Sequence, residues 1–379
     1  DAQESRGLGD VYKRQVHYLG NKTKFLSPIV SKVVELTPPG RSIVDLFAGS
    51  GVVSREFARH RPVLSVDVQA YSATLASALS TPRAYERSTR QRIVARAREW
   101  VRAVTPAVSD LLAYEAVASA SALSAPESFA RLVEEGSLTS LAATDADLAN
   151  AKASAQPRLD AASATLTRYY GGVYFSYTQA LELDALLAAI DHQPDSPAEA
   201  TLVAAVLGTA SDLVATVGSH FAQPSRLRDR SGVVKPAVAA RVLRARNTSA
   251  FELFDKWLQR YASLEVAEHP CATATMDFRV ILNGLEPSVG AIYADPPYTR
   301  DHYSRFYHVL ETIALGDDPG VTLTPGTSSP SRGLYRSQRH QSPFSIRSEV
   351  VGAFDSMFAA AQRQRIPLIL SYSPQGGGT

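Results

Sequence analysis

Cysteine is almost missing from this 379-residue chain: Cys271 is the only one, which excludes a disulfide framework and any cysteine-rich metal site. No apolar run approaches the roughly 20 residues that a membrane-spanning helix needs. A strong charge of one sign is missing as well. With 39 Lys and Arg against 37 Asp and Glu the formal net charge is +2, so bulk composition announces no polyanionic partner. The loop Gly49-Ser50-Gly51 lacks the third glycine of a dinucleotide fingerprint, and no P-loop lysine follows it. That shortfall argues for a ligand without a pyrophosphate. What remains is ordinary: 45% hydrophobic residues, ample for one large or two medium domains, and a lone thiol that fits a reducing cytoplasm.

The most informative stretch is Asp295-Pro296-Pro297-Tyr298. The apolar run Val289 to Ala294 before it reads as a buried strand that ends at the acid. Two consecutive prolines cannot continue a ladder, so the chain turns there in a stiff corner. The corner leaves the Asp295 carboxylate and the Pro296 carbonyl as acceptors, with the flat face of Tyr298 beside them. Such a set suits a planar amine, the way a nucleobase taken out of a duplex is read. An isolated Asp-Pro-Pro is more often simple turn punctuation. Its companions change that balance.

The first companion is Ile43-Val44-Asp45-Leu46-Phe47-Ala48-Gly49-Ser50-Gly51, a strand ending in an acid and a small-residue loop, followed by the helical pattern of Val52 to His60. In open α/β sheets ligands bind at the carboxyl ends of strands, where glycine lets backbone come close. The second is Pro62-Val63-Leu64-Ser65-Val66-Asp67, another strand ending in an acid, placed where ribose hydroxyls are usually accepted. The third is His17-Tyr18-Leu19-Gly20-Asn21-Lys22, which alone would be a basic turn entering a helix. Local charge also departs from the bulk value. Residues 221–250 hold Arg226, Arg228, Arg230, Lys235, Arg241, Arg244 and Arg246 against one acid, Asp229, and residues 330–348 hold Arg332, Arg336, Arg339 and Arg347. Stripes of this kind are the footprint of a phosphate backbone, although any single arginine is more often a solvated surface group.

Taken in order, these motifs resemble the Dam-like adenine-specific DNA methyltransferases of the Asp-Pro-Pro-Tyr type. The resemblance continues through Arg300, His302, Tyr303, Arg305, Tyr307, His308 and Glu311, is dense at residues 17–72 and 289–313, and is sparse elsewhere. It implies a Rossmann-like class I methyltransferase sheet of strand order 3-2-1-4-5, a fold of the α/β class. It implies that Tyr18, Gly20, Lys22 and the loop Phe47, Ala48, Gly49 and Gly51 hold S-adenosyl-L-methionine. Asp45 would then lie near the amino-acid end of that molecule, Asp67 on its ribose and Asp277 near its adenine. Asp295 and the Pro296 carbonyl, braced by Pro297, would accept the two protons of the target N6 amine, with Tyr298 stacked on the flipped base. Arg226, Arg228, Arg230, Arg300, His302, Tyr303, Arg305, Arg332 and Arg336 are the expected DNA contacts. Double-stranded DNA is the implied partner, and the setting is a cytoplasmic, prokaryotic or phage-encoded monomer, alone or beside a restriction endonuclease. Neither a metal nor a membrane is called for.

The same resemblance sets the organisation. Asp67 and Asp277 should end neighbouring strands, yet some two hundred residues separate them, far beyond an ordinary crossover. Residues 74–262, rich in Ala and Leu at helical spacing, are expected to form a helical insertion that shares in DNA recognition. Residues 16–73 and 263–379 form the catalytic domain. Within the insertion, Arg168-Tyr169-Tyr170-Gly171-Gly172 is a turn that could carry a stacking loop, and Gly320 to Ser345 reads as a long mobile loop. Residues 1–15 resemble translated adaptor sequence and are set aside as a non-native leader. After the fifth strand, Ile366 to Tyr372, the family's closing strands are expected to be missing. Pro270-Cys271 matches the nucleophile dipeptide of cytosine-carbon-5 methyltransferases, but its place ahead of Asp277 favours a small apolar thiol in the sheet. Two other readings stand beside the main one: a methyltransferase of another amine, in RNA or a protein glutamine, and an inactive DNA-binding fragment.

Overall fold

A computed structural model describes residues 25–140, 143–160, 163–190, 199–216, 220–297 and 303–371. Five strands form one parallel sheet: β1 (Ser42–Asp45), β2 (Val63–Asp67), β3 (Cys271–Thr275), β4 (Val289–Ala294) and β5 (Leu368–Leu370). Their spatial order is β3-β2-β1-β4-β5, the order that the resemblance implied. In the central strand Ile43 lies opposite Val63 on one side and Ala291 on the other, and Asp45 lies opposite Ser65 and Tyr293. Asp67 pairs with Thr275, two residues before Asp277, and Asp295 directly follows β4. Register alone therefore brings four acids to the carboxyl edge of one sheet.

In chain order the helices are α1 (Leu26–Leu36), α2 (Val52–Phe57), α3 (Ala70–Ser80), α4 (Arg87–Val104), α5 (Ser109–Ala120), α6 (Glu127–Glu135), α7 (Ala146–Asp160) and α8 (Thr165–Tyr170). There follow α9 (Tyr177–Ala189), α10 (Ala200–Leu213), α11 (Pro236–Arg246), α12 (Ala250–Ala262), α13 (Phe278–Asn283), α14 (Tyr303–Phe306), α15 (His308–Leu315) and α16 (Val350–Gln364). Their ends have local causes. Thr37 is extended because Pro38 follows it, and α1 stops there. Ser176 and Gln179 close a reciprocal capping box on α9. Pro236 starts α11, where its missing N–H is no loss.

Both faces are covered around the central strands β1 and β4, which are buried rather than alternating, while the edge strand β3 keeps two exposed residues. Ile43 joins Val33, Phe57 and Ala291 under α1 and α2, while Val44 joins Phe278, Ile292 and Met357 under α13 and α16. Each of Ile43 and Val44 is completely buried, worth roughly 2 kcal/mol. The long excursion between β2 and β3 is helical from α3 to α12. Its main core takes in α3, which packs on the sheet: Tyr71 and Leu75 share one cluster with Leu207 of α10, Phe254 of α12 and Leu310 of α15. A second core is built around Leu111, Phe129, Leu132 and Leu148. None of the described helices is long and apolar enough to cross a membrane.

Two loop expectations change. Arg168-Tyr169-Tyr170 ends helix α8 rather than forming a presented turn, and both tyrosines are buried, with Tyr170 Oη 3.0 Å from the Thr312 hydroxyl. The segment Gly320 to Ser345 is folded onto itself and onto the core. Val321 pairs with Arg336 and Leu323 with Pro330 in antiparallel bridges, and Leu334, Tyr335 and Arg336 are buried. Its Pro, Ser, Thr and Arg composition concealed those three anchors.

Candidate active site

The glycine loop after β1 is held from below by β2 and α3. Asp67 accepts a hydrogen bond from the Gly49 amide through Oδ2 and from the Gln69 amide through Oδ1, each at 3.0 Å. The Ser72 hydroxyl donates to the Gly49 carbonyl. Gly51 sits at φ 78° as the residue before α2, a left-handed conformation that disfavours any side chain. A Cβ there would also lie 2.4 Å from the Cα of Ala76. Gly51 thus serves packing, and the exposed wall belongs to Phe47, Ala48, Gly49 and Ser50.

At the other end of the loop stand two carboxylates. Asp45 is buried; Ser54 Oγ donates to its Oδ2 at 2.6 Å and lies 2.9 Å from the Ser65 hydroxyl. The second oxygen, Oδ1, is buried without a hydrogen-bond partner. Burial pushes the Asp45 carboxyl up to about 7, against the pull of Ser54, and the nearby charge of Asp295 raises it further. Asp295, Pro296 and Pro297 line the same pocket as Asp45, Asp67 and Asp277. Asp277 caps α13 by accepting from the Arg279 amide at 2.8 Å.

Three aromatic rings form the apolar side of the pocket. Phe47, Phe278 and Phe344 meet pairwise with centroids 5.1–5.5 Å apart, so the loops after β1 and β3 and the segment before α16 are tied together. Around Phe344, residues His340, Gln341, Ser342, Pro343 and Ser345 complete the wall. His340 is held below its ordinary value by burial, opposed by the charges of Asp277 and Asp67. The residues fit S-adenosylmethionine on three counts. An orphaned buried carboxylate oxygen can take a cation, a glycine loop permits close backbone approach, and an aromatic wall can cover a purine.

The profile of the D12 class N6 adenine-specific DNA methyltransferases matches residues 18–99 and 242–357, more than half of the chain. The chain belongs to that family. It is also 35% identical over 85 residues to the Type II methyltransferase M.NlaIII of Neisseria lactamica. That match covers 22% of this chain, and the chain spans only 22% of the relative. No solved structure matches. The D12 segments contain the glycine loop, Asp67, Asp277, Asp295 and the strap around Phe344, and they pass over residues 100–241, most of the helical excursion.

In this D12-class chain the structure gathers Asp45, Phe47, Ala48, Gly49, Asp67, Asp277, Asp295, Pro296 and Pro297 into one pocket, together with Tyr303. Tyr18, Gly20, Lys22, Tyr298, Arg300 and His302 lie outside the described residues. Asp67 does more than face a ligand, since both its oxygens brace the surrounding turns. Two expected DNA contacts need correction. Arg228 is bound to Glu127 at 2.8 Å and Glu134 at 3.0 Å, acids of α6 that a local charge count missed. Arg336 is buried, held by Asp317 at 2.5 Å and donating to Thr312 at 2.9 Å. Both guanidiniums are committed to the fold. Arg226, Arg230, Arg305 and Arg332 are exposed.

Sequence reasoning missed Met276, Phe278 and the strap from His340 to Ser345, which also line the pocket. Phe278 was within reach, because it follows Asp277 directly. Nothing in the local pattern links the strap to the loop at Phe47, nearly three hundred residues earlier. Cys271 sits at the amino end of β3, opposite Val63 and away from the pocket edge, with its thiol pushed up to about 11 by burial. A thiolate nucleophile is not made there.

Proposed function

We propose that this chain methylates the exocyclic N6 amine of adenine in double-stranded DNA with S-adenosylmethionine as methyl donor. The observation that carries the reading is the convergence of the loops after β1, β2, β3 and β4 on one pocket. Asp295-Pro296-Pro297 stands there beside Asp45. S-adenosylmethionine, when bound, supplies an electrophilic methyl on a sulfonium. Asp45 and Asp295 repel one another across the pocket, so cationic groups near them favour ionisation of both. The Asp295 carboxylate accepts one hydrogen of the incoming amine and the Pro296 carbonyl the other. This turns the nitrogen lone pair toward the methyl and leaves Asp295 placed to draw off the proton as the N–C bond forms. Alignment and electrostatics carry such a transfer, and no covalent enzyme intermediate is required. Tyr298 would stack on the flipped base, and Tyr18, Gly20 and Lys22 would contact the donor. The helical excursion of residues 74–262 contributes to DNA recognition.

The test is Asp295→Ala in the full chain, with transfer of labelled methyl to duplex DNA and donor binding by calorimetry measured side by side. The variant should lose at least about 100-fold in transfer and bind the donor within about threefold of the parent. Undiminished transfer would remove Asp295 from the mechanism. Label that survives deoxyribonuclease but not ribonuclease or protease would replace DNA as the substrate.

A further inference from the structure

Ion pairing divides the arginines around the pocket into two sets. Arg168 is held by Asp318 at 2.8 Å, Arg228 by Glu127 and Glu134, and Arg336 by Asp317. Arg226, Arg230, Arg305, Arg332 and Arg339 have no acid partner among the described residues. The second set is not scattered. Arg226, Arg230 and Arg332 line one surface depression, although they come from chain segments a hundred residues apart. Asp229 shares that depression, but its carboxylate accepts from Ser231 and from the Val233 amide within its own turn.

Arg305 and Arg339 continue the line to the pocket mouth. Arg305 follows the pocket residue Ser304, and Arg339 precedes the pocket residue His340. Both guanidiniums lie over the ring of Tyr335, at 5.6 and 5.2 Å from its centroid. The Tyr335 hydroxyl is tied to the Gln223 side chain at 2.6 Å and to the Ala222 carbonyl, which leads directly to Arg226. Tyr335 therefore joins the rim to the depression. Glu134 also lines the depression, but Arg228 holds it, so the cations along this line outnumber the acids free to pair with them and raise the free energy of the free protein. The effect is visible at Arg339, which burial and the neighbouring Arg305 hold below the ordinary guanidinium range. A polyanion relieves that repulsion.

We propose that Arg305 and Arg339, clamped about Tyr335, hold the DNA phosphates next to the target nucleotide, and that Arg332, Arg226 and Arg230 hold the phosphates that follow along the same strand. This track rests on the methyl-transfer reading, and it names a surface outside the donor pocket. Arg228 and Arg336 form its frame and do not touch the strand. Neutralising Z phosphates makes log K fall with log salt at about 0.9 Z, so removing one cation from the track is legible in a slope.

The experiment measures binding of a fluorescent duplex to the full chain by anisotropy over a salt series. Methyl transfer to the same duplex and thermal melting are followed in parallel. Arg226→Gln/Arg230→Gln/Arg332→Gln should lower the salt slope by about 2.5 and weaken binding roughly 10- to 100-fold for every duplex sequence. Its melting temperature should not fall, and its donor affinity should not change. Arg305→Gln/Arg339→Gln should lower the slope by about 2 and raise KM for DNA, and Arg305→Lys/Arg339→Lys should restore most of the slope. Arg168→Gln should keep the full slope. Active variants with an undiminished slope would overturn the track while leaving the methyl-transfer reading intact. A parent chain that binds DNA with the expected slope yet transfers no methyl would overturn that reading alone. Displacement of the duplex by RNA of equal length at equal concentration would assign the track to a different polyanion and overturn the proposal.

Discussion

Gly51 offers a test in which two physical effects can be separated. At φ 78° an alanine adopts a left-handed conformation that costs about 1–2 kcal/mol. Its Cβ would also stand 2.4 Å from the Ala76 Cα and 2.7 Å from its Cβ, distances that force α2 and α3 apart. Overpacking of that kind costs about 1–3 kcal/mol, so Gly51→Ala should lose roughly 3 kcal/mol in all. Gly40 is the internal control, with φ 75° and nothing within 4 Å of an added Cβ, so Gly40→Ala should show only the backbone share of about 1 kcal/mol. In thermal melts at about 2 °C per kcal/mol, the two variants should fall about 6 and 2 °C below the parent. Because Ser72 of α3 holds the Gly49 carbonyl, the separation of α2 from α3 should also reach the donor loop, and Gly51→Ala should weaken donor binding at least tenfold. If Gly51→Ala melts with Gly40→Ala, the close approach to Ala76 does not shape the loop and the reasoning fails.

Asp45→Asn tests the buried acid. The Asp45 carboxyl is raised from 3.8 to about 7. Its stabilising protonated form is therefore fully present below about pH 4 and lost as pH rises through 7, up to about 4 kcal/mol in all. Chemical denaturation without donor should show the variant gaining on the parent between about pH 4 and 7, and a difference that stays flat over that window would refute the shift. Arg336→Ala should destabilise the fold by about 2 kcal/mol, less than a fully buried pair, because Asp317 is 43% exposed. It should leave the salt slope of DNA binding intact, and a lost slope without lost stability would place Arg336 on the track instead.

What can be read in the sequence is what is local. A strand ending in an acid, a glycine loop and a double-proline corner each carry their meaning within about ten residues, and their order matches a family sheet. Asp45, Asp67, Asp277 and Asp295 are therefore legible together as candidates, and register puts them on one edge. Function along the surface is less legible, because it depends on which acid reaches which arginine. Arg228 looks free beside Asp229 and is held by Glu127 and Glu134 from about a hundred residues away, while Asp229 is occupied by its own turn. Arg336 looks like part of a mobile basic loop, and its partner Asp317 lies just after α15. Arg246 counts among the basic cluster in sequence, but it is buried 3.6 Å from Glu115 and over the ring of Phe129.

The helical excursion meets the glycine loop along one element, α3. Its first two amides donate to the two oxygens of Glu311, a residue of α15, at 3.0 and 3.1 Å. A carboxylate at a helix start is favoured both by the free amides and by the dipole. In the same turn Ser72 holds the Gly49 carbonyl, and one turn further Ala76 meets Gly51. α3 also packs against α10 of the excursion, in one core with Leu207 and Phe254. An excursion packed onto α3 in this way cannot shift without pressing on the glycine loop from behind. Glu311 carries the same connection toward the surface, since α15 also bears Thr312, which receives Arg336 from the segment holding Tyr335 and Arg339. The glycine loop, the Asp295-Pro296-Pro297 corner and the arginines about Tyr335 thus share one packed frame, and this is why a substitution such as Gly51→Ala should register in both stability and the affinity for the proposed donor.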